Sequence, residues 1–201
     1  MNRVFDYLDK LYPNPKCELN YNKDYELLIA IVLSAQTTDK RVNKVTAVLF
    51  NKYPTLEDIS NADIKDIEKI IKEIGTFRKK AIYVKEIATK LYENGGVIPN
   101  DRLYIESLSG VGRKTANVFL SEIYKESTIA VDTHVARVSK RLNLVDEDDN
   151  VNDIEKKLMK KIPKDRWSRT HHQLVLFGRY KCKAIKPDCF NCKLKDICKK
   201  V

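Results

Sequence analysis

Four of the five cysteines of this 201-residue chain fall in its last twenty residues, as Cys182-x6-Cys189-x2-Cys192-x5-Cys198. Thiols this dense point to a metal or to cross-links. Disulfides need an oxidising compartment, but Asp6 and Asp9 interrupt the first ten residues and no apolar leader is read there. A cytoplasmic protein with reduced thiols is therefore expected. Structural zinc usually takes two close ligand pairs separated by a longer loop. Here one close pair, Cys189 and Cys192, is flanked by single cysteines at unequal distances. That spacing suits a four-thiolate iron–sulfur cluster better, and on spacing alone zinc stays open. The remaining cysteine, Cys17, reads as a small buried hydrophobe.

Helical periodicity runs through nearly all of the chain ahead of this segment. Val42, Val45, Leu49, Phe50 and Tyr53 form one stripe, and Ile64, Ile67, Ile70, Ile71 and Ile74 the next. Ser60 and Asp63 suggest a capping box before that second helix, and Gly75 suggests its end. Further stripes follow at Val84, Ile87, Ala88 and Leu91, at Val135, Val138 and Leu142, and at Val151, Ile154, Leu158 and Ile162. No segment alternates with period two for long enough to make a strand, so the fold class expected is all-α. The length allows one domain or two small lobes. The longest apolar run, Leu27 to Leu33, is too short to cross a bilayer, so no membrane association is expected. Nor is any oligomerisation seam evident, and a monomer is the default.

Against 28 acidic residues stand 38 basic ones, a formal charge of +10, which points to a polyanionic partner. From Arg179 onward there are eight Lys or Arg and only Asp188 and Asp196 against them. Lys183 and Lys186 are candidates for phosphate contacts within this stretch, the competing reading being a solvated lysine-rich surface.

Leu108-Ser109-Gly110-Val111-Gly112-Arg113-Lys114-Thr115-Ala116 reads as a tight turn between a short helix, about Asp101 to Leu108, and a longer one. Two glycines two residues apart let consecutive backbone N–H groups face outward at a helix start. A phosphate oxygen fits there, and such contacts carry no base information. An ordinary helical hairpin is the competing reading. Lys114 lies in the first turn of the following helix, where the dipole and the adjacent Arg113 both disfavour a cation. Those surroundings favour the neutral amine that a nucleophile needs, though a lysine reaching a phosphate is the commoner case. Asp132, before Thr133-His134-Val135, is placed to cap a helix. Capping is compatible with a second role, stabilising positive charge. The adjacent His171 and His172 make a poor metal pair and, like Trp167, read as packing residues.

Taken together, four separated segments resemble the endonuclease III family of helix-hairpin-helix DNA glycosylases. They are Leu33-Ser34-Ala35-Gln36-Thr37-Thr38-Asp39, the Gly110 to Ala116 hairpin with its lysine, Val131-Asp132-Thr133-His134, and His171-His172 through Gly178-Arg179-Tyr180 leading into the cysteines. The resemblance covers nearly the whole chain. It implies a two-lobed fold with a DNA cleft between the lobes. A six-helix barrel would span residues 19–127, and residues 1–18 with 128–201 would carry a 4Fe–4S cluster on Cys182, Cys189, Cys192 and Cys198. It implies a bifunctional DNA glycosylase and abasic-site lyase acting on duplex DNA with damaged pyrimidines or abasic sites. Lys114 would be the nucleophile and Asp132 its partner across the cleft, with DNA contacts from Gln36, Gly110, Gly112, Arg113 and His134. Through its DNA such a protein would associate with the nucleoid.

Two positions depart from the family pattern. A bulky apolar wedge is usual after the glycine matching Gly75, where this chain has Thr76 and then Phe77; Phe77 is the apolar candidate. Ser109 replaces a proline, which costs turn rigidity and no chemistry. Two other readings compete. One is a non-enzymatic DNA-binding module with a structural metal centre. The other is a glycosylase for mismatched thymine or adenine, against which Lys114 argues, since the relatives that do this generally lack a lysine there.

Overall fold

The structure is a computed structural model and describes residues 1–200. Among these there is no strand, as the sequence predicts; eleven α-helices carry the fold. Backbone contacts divide the chain into two units, one running from Glu18 to Tyr124 and the other joining Met1–Cys17 to the chain from Lys125 onward.

The Glu18–Tyr124 unit is built from α2 (Asp24–Leu33), α3 (Asp39–Lys52), α4 (Leu56–Asn61), α5 (Ile64–Ile70), α6 (Phe77–Glu93), α7 (Arg102–Glu106) and α8 (Arg113–Ile123). Every residue of α2 from Tyr25 to Leu33 is buried, which is why its sequence shows an unbroken apolar run instead of a stripe. Helices α3, α6 and α8 pack around it. Each of its fully buried leucines and isoleucines contributes about 2 kcal/mol over an exposed one. The stripes of α3 and α6 bury Val42, Val45 and Leu49, and Ala81, Val84, Ile87, Ala88 and Leu91.

Two local expectations need correction. The capping box belongs to α4, where Thr55 accepts from Asp58 N–H and Asp58 returns the bond. Ser60 instead donates to Glu57 O inside that helix, and Asp63 alone caps α5 through Lys65 N–H. Helix α5 also ends at Ile70, five residues before Gly75. A turn closed by Ile74 N–H to Ile71 O continues the chain. Ile67, Ile71 and Ile74 are all buried, so the apolar stripe outlasts the helix.

The other unit contains α1 (Asn2–Leu11), α9 (Thr133–Arg141), α10 (Val151–Lys161) and α11 (Trp167–Leu176). Val4, Leu8, Val135, Val138, Ile154, Leu158, Leu174 and Phe177 form its core. Asp9 pins α1 to α11, accepting from Arg166, Arg169 and Gln173 at 2.8–3.0 Å. Burial alone would raise the Asp9 carboxyl, but these donors outweigh it and hold the pKa at about 2. His171 is buried and stacks edgewise on His172, and Trp167 donates to Ile162 O. Lys157, paired with Asp146 and Asp149, is pushed up to about 12. Cys17 is only half-buried, because it lies in the irregular chain after α1 rather than on a packed face. Among the described residues no helix is long and apolar enough to cross a membrane.

Candidate functional site

Helix α7, capped by Asp101 through Leu103 and Tyr104 N–H, leads into the Gly110 turn. Gly110 has φ +76°, and a Cβ there would lie 2.5 Å from Cδ2 of Tyr83. Backbone and neighbour alike therefore require glycine, and the hairpin rests on a ring of α6. Gly112 is the N-cap of α8 and has no side chain to cap it. The first-turn N–H groups have no partner within the helix, an arrangement that suits an anion. Arg113 and Lys114 open α8, with both side chains exposed.

The segment after α2 holds a second exposed feature. Gln36 has φ 56°, in the left-handed region that non-glycine residues seldom enter, and it is exposed. Thr37 N–H bonds to Ser34 O, and Ser34 Oγ donates to Ile31 O. Beneath this turn lies Lys80 of α6, buried at 4% exposure, donating from Nζ to Leu33 O at 3.0 Å and Ala35 O at 2.5 Å. Burial lowers the Lys80 pKa. At the start of α6, Thr76 has φ 56° and is exposed, while Phe77 is half-buried with the Arg78 guanidinium 5.0 Å above its ring.

In the other unit Asp132 caps α9, its Oδ1 accepting from His134 N–H at 2.9 Å and Val135 N–H at 2.8 Å. His134 and Arg137 follow on this helix. Arg137 Nη2 lies 3.2 Å from His134 Nδ1. Burial, opposed by Asp132 and reinforced by Arg137, lowers the His134 pKa. A Cβ on Gly178 would come within 2.8 Å of His134 Cβ, so glycine is what allows the chain after α11 to approach α9.

That chain widens into a π-helical turn, Phe177–Lys181, closed by Cys182 N–H to Phe177 O. Two arginines one turn apart on α9 then hold the start of the cysteine loop. Arg137 donates to Gly178 O and Cys182 O; Arg141 donates to Lys183 O at 2.7 Å and meets Cys182 Sγ at 3.3 Å. From α1, Tyr7 donates to Asn191 O, and Arg3 reaches Lys193 O and Asp196. Cys182, Cys189, Cys192 and Cys198 are free thiols that line one cavity, closed from inside by Leu142 and Phe177. Burial pushes the Cys192 thiol up. Among the described residues no three His, Cys, Asp or Glu converge closely enough to hold a single metal ion. Lys183 and Lys186 are exposed on the loop, Lys186 with φ 50°.

The structure thus gathers the four cysteines around one cavity and puts Gln36, the Gly110 turn and Thr76–Phe77 around α6. Sequence reasoning passed over Lys80, Tyr83, Arg137 and Arg141. The i, i+4 spacing of the two arginines was a weak signal; nothing in sequence separates Lys80 from its many exposed counterparts.

Residues 29–164 match the HhH-GPD superfamily of base excision DNA repair proteins. Endonuclease III of Bacillus subtilis is 45% identical over 195 residues, covering 96% of this chain and 89% of the relative. A solved structure of a trapped endonuclease III–DNA covalent intermediate superposes with a TM-score of 0.94 at 46% identity, over 99% of this chain and 94% of that one. A thermostable thymine-DNA glycosylase superposes with a TM-score of 0.85 at 26% identity, over 98% and 94%.

Proposed function

The chain belongs to the HhH-GPD superfamily and, within it, to the endonuclease III family of DNA glycosylase/lyases of base excision repair, and we propose that it excises oxidised pyrimidines with Lys114 as nucleophile and Asp132 as its electrostatic partner. The observation that carries this reading is an exposed lysine in the first turn of α8, set immediately after a glycine turn that suits a phosphate.

The damaged nucleotide leaves the base stack to reach the enzyme. Lys114 Nζ bonds to the sugar C1′ as the glycosidic bond breaks and its electron pair leaves with the base. Ring opening gives a Schiff base between lysine and sugar. Loss of the C2′ proton then expels the 3′ phosphate, which is β-elimination. Asp132, its Oδ1 held by two backbone N–H groups, opposes the positive charge that develops on the sugar. Gln36 fills the space the flipped nucleotide vacates, and Phe77 wedges the duplex with Thr76 beside it. Gly110, Gly112 and Arg113 hold the phosphate backbone, joined by His134, Lys183 and Lys186.

Cys182, Cys189, Cys192 and Cys198 would hold a 4Fe–4S cluster; bound there, it supplies a cross-link that orders the loop. Four free thiols standing around one cavity fit such a group, in which the protein's four thiolates ring the cluster. By this reading the protein stays in the cytoplasm and acts as a monomer.

Borohydride trapping tests the chemistry. Lys114→Gln keeps most of the side-chain length and removes the amine, so it should bind abasic duplex yet give neither trapped adduct nor strand cleavage. A trapped adduct in that variant would place the nucleophile elsewhere.

A further inference from the structure

Lys80 sits where a lysine has little reason to be. Its ammonium is buried in the Glu18–Tyr124 unit, and it is committed to two backbone carbonyls rather than to a carboxylate. Both carbonyls belong to one short stretch. Leu33 is the last residue of α2, where the helix leaves its final carbonyls without partners and presents the negative end of its dipole. Ala35 immediately precedes Gln36, the residue held at φ 56° with its side chain exposed. One ammonium therefore ties the end of α2 to the base of the Gln36 turn, from a helix distant in sequence. A lysine end-capping α2 would need only Leu33 O. The second bond, to Ala35 O, reaches beyond the helix and fixes the peptide that sets the direction of the next residue.

The same helix carries Tyr83, whose ring sits where a Gly110 Cβ would lie. Through two neighbouring residues α6 thus sets both the turn bearing Gln36 and the turn before Lys114. We propose that Lys80 is a positioning residue for base extrusion, holding Gln36 in the left-handed conformation that projects it toward DNA; this rests on the reading of Gln36 as the side chain that fills the vacated space. By this proposal Lys80 acts through Gln36 and not as a nucleophile, being buried with its ammonium bonded to two backbone carbonyls.

The test is a double-mutant cycle on the full-length protein, read by single-turnover base release from a duplex carrying one oxidised pyrimidine, well below the melting temperature. Lys80→Met keeps the stem and removes the donors; Lys80→Gln, one atom shorter and still a donor, substitutes for it if the first variant does not fold. Lys80→Met and Gln36→Ala should each slow release by roughly tenfold or more, within the range that misplacing a positioned group costs. The double variant should be no slower than either alone. Hydrogen exchange of the Gln36 and Thr37 amides should quicken in Lys80→Met while the α8 amides stay as they were. Rate losses that multiply in the double variant, or exchange at Gln36 and Thr37 unchanged, would overturn the inference, leaving Lys80 a cap for α2. A Gln36→Ala protein at the wild-type rate with exchange quickened by Lys80→Met would instead overturn the role of Gln36, and with it the functional part of the inference.

Discussion

Asp132 carries two roles that substitution can pull apart. As N-cap of α9 its Oδ1 accepts two backbone N–H bonds, at 2.9 and 2.8 Å. Asparagine keeps an oxygen at that position and is an equally good cap, whereas alanine removes it at a cost of about 1 kcal/mol. For a chain of this size that loss lowers the melting temperature by roughly 2–4 °C. The stability order expected is therefore wild type close to Asp132→Asn, with Asp132→Ala below both. Catalysis should rank them differently, because both variants lose the negative charge that opposes the developing sugar cation. Removing a comparable preorganised electrostatic group slows the chemical step by about 100- to 1,000-fold. Thermal melts on the three proteins, followed by single-turnover base release at 25 °C where all are folded, separate the two effects. Both variants should be slow and only one destabilised. An Asp132→Asn protein with near wild-type turnover, or rates that simply follow the melting temperatures, would reduce Asp132 to a helix cap.

Three further outcomes are expected. Asp9, held at about 2 against an ordinary 3.8, contributes stability that is present above the ordinary value and lost as pH falls through about 2. Its side chain is 33% exposed, so screening leaves about 1 kcal/mol of that contribution. Asp9→Asn should flatten the loss of stability between pH 4 and pH 2 in denaturant titrations, and equal acid limbs for the two proteins would refute the clasp. Protein purified without oxygen should carry iron and acid-labile sulfide at about four each per chain; stoichiometric zinc without sulfide would remove the cluster assignment. Replacing Lys183 and Lys186 together should lower the slope of log affinity against log salt by about one unit for each phosphate no longer neutralised, and an unchanged slope would make both residues solvated surface.

What the sequence determined by itself is what depends on short stretches of chain. Asp63 and Asp132 lie beside the backbone N–H groups they cap, so local chemistry suffices to mark them as caps, although the partnership of Asp63 with Ser60 was not formed. Apolar spacing reports which side of a helix is wet, and it marked α3, α6 and α9 correctly; on α10 it placed Ile154, Leu158 and Ile162 but not Val151, which is exposed at the helix start. It could not mark where α5 stops, because Ile71 and Ile74 are buried whether the chain is helix or turn. The four cysteines were legible as a group from their density, while the cavity they share came only with folding. Tertiary structure alone decided the remainder. Gly110 needs glycine partly because Tyr83, distant in sequence, stands where its side chain would be, and Gly178 needs it because of His134. Lys80 is the clearest case, since burial and partners are properties of its surroundings. In sequence it is one lysine beside another; folded, it is the ammonium that holds Leu33 and Ala35 together.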